Sequence, residues 1–232
     1  MAIACYLAMT AAEFSACDNL PAHIGWLACH FSPSGPGLSN LPKSLPPDSL
    51  LIIDDSTPFH HHQQELILHQ LQDTISSLEV CAVMLDFQRP GNSDIQGLVS
   101  LLQQELSCPV VAPPQYASGR SPVFLPPCPL NVPLQEYLGP YQGRDIWLDA
   151  APLPVQITVT EKGSTYETLP LGTPNNNYHW ESKLCCNYSI DIQKDNIAFT
   201  LSRDSLAIQK WLQKAEELGV TAVVGLYQEL EK

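Results

Sequence analysis

Acidic and aromatic residues follow several short apolar runs of the sequence, at the points where buried strands would end. Asp54 and Asp55 follow the third run, Asp86 and Gln88 follow the fourth, and Asp149 follows the seventh. The aromatic residues of the same regions are Tyr116, Trp147 and Tyr227. Carboxylates bind sugar hydroxyls and transfer protons, and aromatic rings stack on sugar faces. Any single Asp at such a point could simply cap a turn or helix, but together these residues favour sugar recognition.

The elements that must position these residues are eight apolar runs. Their ranges are 4–8, 24–29, 50–53, 80–85, 109–112, 123–125, 146–148 and 222–226. Continuous apolarity, without alternation, is typical of strands that are buried on both faces of a parallel sheet.

Helical periodicity lies between some of the runs. Apolar residues recur at i, i+3, i+4 and i+7 over 63–78, 95–106 and 205–218, and Gly219 follows the last of these as a predicted C-cap. Strand, helix and strand in short succession indicate βαβ units. The 21 prolines concentrate in 33–58 and 109–154, where we expect extended loops to replace helices.

One region departs from the parallel pattern. Residues 155–171 and 184–201 alternate apolar and polar side chains, and Lys194-Asp195-Asn196 reads as a hairpin turn. The sequence therefore predicts an α/β fold, a compact (β/α)8 TIM-type barrel formed by one domain over 1–232. A β-hairpin insertion over 155–201 precedes the last helix and strand. A doubly wound open sheet is the alternative. In a barrel the strand ends share one face, which would unite the residues named above.

Charge and composition restrict the partners. The chain has 232 residues, with 24 Asp and Glu against 11 Lys and Arg, for a formal net charge of −13. Nucleic acids and anionic membranes would repel such a chain, so neither is an expected partner. No apolar run reaches the about 18 residues that cross a bilayer. The first residues carry no basic segment, so we predict a cytoplasmic protein without a signal peptide.

Neither the cysteine spacing nor any glycine-rich motif predicts a bound metal or cofactor. The eight cysteines form no Cys-x-x-Cys pair, and several lie in apolar runs, which predicts buried free thiols. No glycine-rich phosphate loop is present, and we expect no cofactor.

A histidine run supports one alternative function. His60, His61 and His62 could bind a metal, with Asp55 and Asp86 completing the shell of a metal-dependent hydrolase. The run also precedes a predicted helix, and a solvated helix start is the favoured interpretation, so no metal ligand is assigned.

The fourth run carries a motif that resembles a known family. The segment Cys81-x-x-Met84-x-Asp86-x-Gln88 is similar to the fourth-strand signature of glycoside hydrolase family 18, Asp-x-x-Asp-x-Asp-x-Glu. The C-terminal part resembles the spore-wall, peptidoglycan-directed branch of that family. There an antiparallel pair precedes a helix that begins with Ser and contains Lys, as at Ser205 and Lys210. The last strand then leads to an aromatic residue, here Tyr227.

This resemblance implies a substrate-assisted, retaining reaction on N-acetylhexosamine chains. It implies that Asp86 orients the acetamido group and that Gln88 occupies the position of the acid. An amide has no ionisable proton to give, so Gln88 cannot be that acid. Asp54 or Asp55 could supply a carboxylic acid instead, because the like charge of Asp86 favours its protonated form.

The implied function is a carbohydrate-active protein that is catalytically weak or silent. Asp86, Gln88 and Asp55 are then the catalytic candidates. The candidates for substrate binding are Asp54, Tyr116, Trp147, Asp149 and Tyr227, with Trp147 and Tyr227 as stacking faces. The expected partner is a glycan or another small molecule. A non-catalytic scaffold for protein interaction is a further alternative, and a barrel mouth closed by the proline-rich loops would favour it.

Overall fold

A computed structural model describes residues 3–89, 93–119, 121–151, 153–173 and 178–230. Strands are numbered β1–β14 and helices α1–α6 in chain order. Eight strands run parallel to one another in the largest sheet. They are β1 (Ala4–Met9), β2 (Ile24–Phe31), β4 (Leu50–Asp54), β5 (Ala82–Asp86), β6 (Val110–Val111), β7 (Val123–Leu125), β8 (Ile146–Asp149) and β14 (Val220–Leu226). A two-residue strand, β3 (Leu38–Ser39), pairs antiparallel with β2.

These eight strands form a barrel. Their order is β6-β5-β4-β2-β1-β14-β8-β7, and a single parallel bridge from Ala112 to Val123 joins the two ends. At this seam the Phe124 amide donates to the Ala112 carbonyl at 2.9 Å. All eight predicted runs are barrel strands, so the predicted TIM-type fold is confirmed and the open-sheet alternative is wrong.

The three predicted helices are also confirmed. They are α2 (Gln64–Leu78), α3 (Ser93–Glu105) and α5 (Ser205–Glu217). The helical spacing of Ile67, Leu71 and Ile75 lets α2 bury one face against the barrel. The remaining helices are α1 (Ala11–Ala16), α4 (Leu134–Leu138) and α6 (Tyr227–Leu230), and all three are short.

The core has two layers, because successive side chains of a strand point to opposite faces. Ile52, Met84 and Trp147 belong to the cluster that fills the barrel interior. Leu51 and Ile53 belong to the cluster between the barrel and its helices. This alternation decides which of the residues at the strand ends face the barrel mouth.

The insertion is larger than the predicted hairpin. Strands β12 (Cys186–Ile192) and β13 (Asn196–Ser202) form that hairpin around the expected turn. Three further strands, β9 (Val155–Thr160), β10 (Gly163–Thr168) and β11 (His179–Glu181), complete an antiparallel sheet in the order β10-β9-β13-β12-β11. The alternating segment 155–171 therefore contains two strands, β9 and β10, which a second tight turn joins.

Contacts at its base join the inserted sheet to the barrel. Leu130, in the loop after β7, packs with Val155 and Leu201 of the sheet. On the other face the Asn187 amide donates at 2.9 Å to Asp204, whose carboxylate also caps α5. The sheet is thus anchored beside the carboxyl ends of β7 and β8.

All eight cysteines are free thiols, as predicted. Burial, assisted by the charge of Asp54, raises the pKa of Cys29 to about 12, so this thiol is un-ionised at neutral pH. In the part of the chain that the structure describes, no helix combines the length and the apolar character needed to cross a membrane.

Candidate functional site

The carboxyl ends of the barrel strands hold a group of inward-facing carboxylates. Asp54 and Asp86 lie in register on the adjacent strands β4 and β5, one alternation beyond Ile52 and Met84. Asp149 lies likewise beyond Trp147 on β8. Asp86 and Asp149 line one cleft of about 560 Å³, together with Gln88. The barrel therefore brings residues of the fourth and seventh runs into one site, which we call the mouth cleft.

Prolines and aromatic side chains form the other walls of the mouth cleft. The prolines are Pro113, Pro114, Pro126 and Pro127, and the aromatic residues are Phe87, Phe124, Tyr137 and Tyr141. The Tyr137 hydroxyl donates to the Pro126 carbonyl at 2.7 Å, which holds α4 against the loop after β7. The proline-rich loops border the mouth but leave it open.

Asp86 and Gln88 form a hydrogen-bonded pair in the mouth cleft. The Gln88 side-chain amide donates to Oδ1 of Asp86. Burial raises the pKa of Asp86, the bond from Gln88 opposes this, and the charges of Asp54 and Asp55 raise it further. The pair occupies the two motif positions that the sequence predicted, with an amide where the family signature has a carboxylic acid.

Asp149 is the most strongly perturbed carboxylate of the mouth cleft. Burial raises its pKa to about 6, and the charges of Asp86 and Glu229 add to this. The Ala151 amide donates to Asp149 Oδ1 at 2.9 Å, which favours the ionised form and partly offsets the effect of burial. At this pKa Asp149 is mostly ionised at pH 7 and becomes mostly protonated below pH 6.

The raised pKa of Asp149 predicts an unusual pH dependence of stability. The folded protein binds this proton more tightly than the unfolded chain, so the free energy of unfolding should rise as pH falls through 6. Between pH 7 and pH 5 we expect this group to contribute about 1 kcal/mol. Urea unfolding of the wild type and of Asp149→Asn at both pH values measures it. If the difference in the free energy of unfolding between the wild type and the variant were the same at both pH values, the expectation would be wrong.

Asp55 faces away from the mouth cleft and organises the loop after β5. Its side chain is 3% exposed, and its carboxylate accepts the backbone amides of Gln88 at 3.0 Å and Arg89 at 2.9 Å. The neighbouring Asp54 accepts the Ser56 amide at 2.8 Å. Asp55 thus positions the segment that carries Gln88, while Asp54 stands beside Asp86 at the rim.

The predicted aromatic residues lie away from the surface of the mouth cleft. Trp147 is 8% exposed and stacks on Tyr6 inside the barrel, with ring centroids 5.5 Å apart. Tyr116 is 2% exposed and packs edge-to-face on Phe87. Tyr227 is half-buried at the start of α6, with its hydroxyl 3.8 Å from the Cys17 thiol.

Tyr137 and Tyr141 are the tyrosines that line the mouth cleft, and sequence reasoning missed both. They follow a proline-rich loop and belong to a short helical segment that ends in a 3-10 turn, Gly139–Tyr141. Their separation by four positions, which places two side chains on one helix face, was the available signal.

The metal alternative lacks a cluster of ligands. Among the described residues, no three His, Cys, Asp or Glu side chains are placed to hold a metal ion. The rings of His60 and His62 stack on each other with centroids 5.9 Å apart. The carboxylate of Asp55, the expected partner of these histidines, accepts two backbone amides instead.

Comparison with known proteins identifies the fold. No family model matches the sequence, and no curated protein matches it by sequence. The spore cortex-lytic enzyme SleL of Bacillus cereus matches in structure, with a TM-score of 0.56 and 8% identity over 99% of this chain and 73% of that one. A chitinase-like agglutinin of Robinia pseudoacacia gives 0.63 and 11%, over 98% and 97%.

A third similar structure contains a glycan. It is a mutant family 18 chitinase from Cycas revoluta in complex with (GlcNAc)4, with a TM-score of 0.57 and 10% identity over 97% of this chain and 95% of that one. The predicted likeness to the family 18 barrel is thereby confirmed at the level of the fold.

Proposed function

We propose that the protein binds N-acetylhexosamine-containing glycans in the mouth cleft and hydrolyses them slowly or not at all. The observation that carries this proposal is the Asp86–Gln88 pair, which lies in an open cleft at the mouth of a barrel of this fold.

The chemistry of the mouth cleft suits a sugar chain. Asp86 and Asp149 offer carboxylate oxygens to hydroxyl groups, and Tyr137, Tyr141 and the prolines offer apolar surface to sugar faces. Its volume of about 560 Å³ is within the range of small-molecule sites. The fold neighbours include a protein named as an agglutinin and a chitinase that holds (GlcNAc)4, which supports a glycan as the ligand.

The amide at position 88 limits hydrolysis. Gln88 cannot protonate a glycosidic oxygen, and the loss of a general acid lowers a rate by about 10²–10⁴-fold. Asp149, whose pKa burial raises to about 6, is the carboxyl group of the mouth cleft best able to give a proton near neutral pH. Any residual hydrolysis should therefore depend on Asp149 and should decrease in Asp149→Asn.

Calorimetric titration with the N-acetylglucosamine tetramer, with cleavage followed by mass spectrometry, tests the proposal. We expect binding by the wild type with cleavage too slow to compete with dissociation. Gln88→Glu should also bind the tetramer. It should not restore rapid cleavage, because Met84 occupies a position where the family signature has another Asp.

The two measurements separate the outcomes. Rapid cleavage by the wild type would contradict the silent-binder proposal. The absence of binding by both the wild type and Gln88→Glu would leave a likeness of fold only, and the glycan proposal would then be wrong.

A further inference from the structure

Among the residues that the structure describes, no basic side chain balances the negative charge of the mouth cleft. The described lining includes Asp86 and Asp149 but no Lys, Arg or His. Among the described residues, the one ion pair is Lys214–Glu217, on the surface of α5. Within these residues, neither carboxylate of the mouth cleft forms an ion pair with a basic side chain. A ligand that brings positive charge would complement this surface.

Three side chains of the mouth cleft donate hydrogen bonds to acceptors of the protein itself. The Gln88 amide donates to Asp86, the Gln115 amide to the Phe87 carbonyl at 3.4 Å, and the Tyr137 hydroxyl to the Pro126 carbonyl at 2.7 Å. The carboxylates keep further lone pairs, since each can accept several hydrogen bonds. The mouth cleft therefore presents two carboxylates as charged acceptors to a ligand.

The two forms of a hexosamine differ in the group that this surface would meet. An acetamido group carries a carbonyl oxygen that needs a donor, and it is uncharged. A free amino group, protonated near neutral pH, carries one positive charge and three donors. Hydrogen bonds between an ammonium and a carboxylate are about twice as strong as those between neutral groups.

We propose that the sugar unit held between Asp86 and Asp149 is a hexosamine with a free amino group. The ligand would then be a partly de-N-acetylated aminosugar chain rather than a fully acetylated one. This inference rests on the proposed function and specifies its substrate class.

The neighbours of the two carboxylates predict how binding depends on pH. The charges of Asp86 on β5 and Glu229 on α6 raise the pKa of Asp149, whose own charge raises the pKa of Tyr137 on α4. The charges of Asp55 and of Asp54, which lies in register with His30 on β2, raise the pKa of Asp86. Burial places the pKa of Asp149 at about 6, so acidification from pH 7 to pH 5 neutralises it. The amine of a glucosamine unit gains protons over this interval, so a loss of affinity would come from the protein.

Paired titrations with the glucosamine tetramer and the N-acetylglucosamine tetramer test the inference. At pH 7 we expect the free-amine tetramer to bind at least about tenfold more tightly, which corresponds to about 1.4 kcal/mol. Asp149→Asn keeps an acceptor for the Ala151 amide but removes the charge, and it should abolish most of this preference. The matched control is Glu105→Gln, which removes one exposed carboxylate at the end of α3, shortly before the start of β6 and away from the carboxyl ends of the strands.

Each outcome supports or overturns a specific statement. A preference that falls in Asp149→Asn and at pH 5 but persists in Glu105→Gln supports the inference. Equal or tighter binding of the acetylated tetramer overturns it and leaves the proposed function standing. If Glu105→Gln lost the preference for the free-amine tetramer to the same extent, the preference would come from the overall charge of −13. That result would overturn the inference of a specific site. No binding of either tetramer contradicts the proposed function itself.

Discussion

Replacement of Trp147 by alanine should lower the free energy of unfolding by about 3–5 kcal/mol. The indole lies inside the barrel, 8% exposed, and stacks on Tyr6 with an interplanar angle of 11°. Its removal would leave a cavity among the inward side chains of several strands, which the closed sheet cannot collapse to fill. Urea or guanidinium unfolding followed by circular dichroism measures the change.

A conservative variant separates this packing role from a role in sugar binding. Trp147→Phe retains an aromatic ring beside Tyr6, so it should lose less stability than Trp147→Ala and should bind the glycan tetramers as the wild type does. If Trp147 were a stacking face for a sugar, both variants would lose affinity while Trp147→Ala unfolded at nearly the wild-type denaturant concentration.

Replacement of Asp55 by alanine should lower the free energy of unfolding by about 3–5 kcal/mol, because two charge-assisted hydrogen bonds are lost. The amides of Gln88 and Arg89 would lose their shared acceptor, and the loop that carries Gln88 would lose its position. We therefore expect glycan affinity to fall as well, although Asp55 itself faces away from the mouth cleft. Chemical unfolding and calorimetric titration of the same preparation measure both effects.

Two companion variants sharpen this test. Asp55→Asn keeps one acceptor oxygen and should lie between the wild type and Asp55→Ala in stability. Asp73→Ala removes an exposed carboxylate of α2 and should change the free energy of unfolding by no more than about 0.5 kcal/mol. Wild-type stability of Asp55→Ala, with binding alone reduced, would show instead that this carboxylate acts on the ligand.

The order of the elements follows from the sequence. Apolar runs such as 50–53 and 80–85 are continuous because both faces of a barrel strand are buried, and that requirement is visible in residue types alone. Helices α2 and α5 are equally visible, because each buries one face at helical spacing. Once eight such strands form one barrel, Asp86 and Asp149 must share a rim. The family 18 likeness of the fourth run agrees with this placement.

The roles of particular side chains depend on tertiary packing. Asp54 and Asp55 are consecutive, and only the pairing of β4 with β5 decides that Asp54 faces the barrel mouth while Asp55 binds the loop after β5. Trp147 looked available for stacking, but it lies one layer below Asp149 and is covered by Tyr6 of β1.

The properties of the mouth cleft depend on contacts that are distant in the sequence. The raised pKa of Asp149 comes from burial and from charges on β5 and α6, which no local pattern reveals. Tyr137 and Tyr141 reach the cleft because the loop after β7 folds α4 back against the barrel. Local periodicity records which side of an element is buried, whereas exposure, charge balance and donor availability arise only when elements far apart in the chain meet.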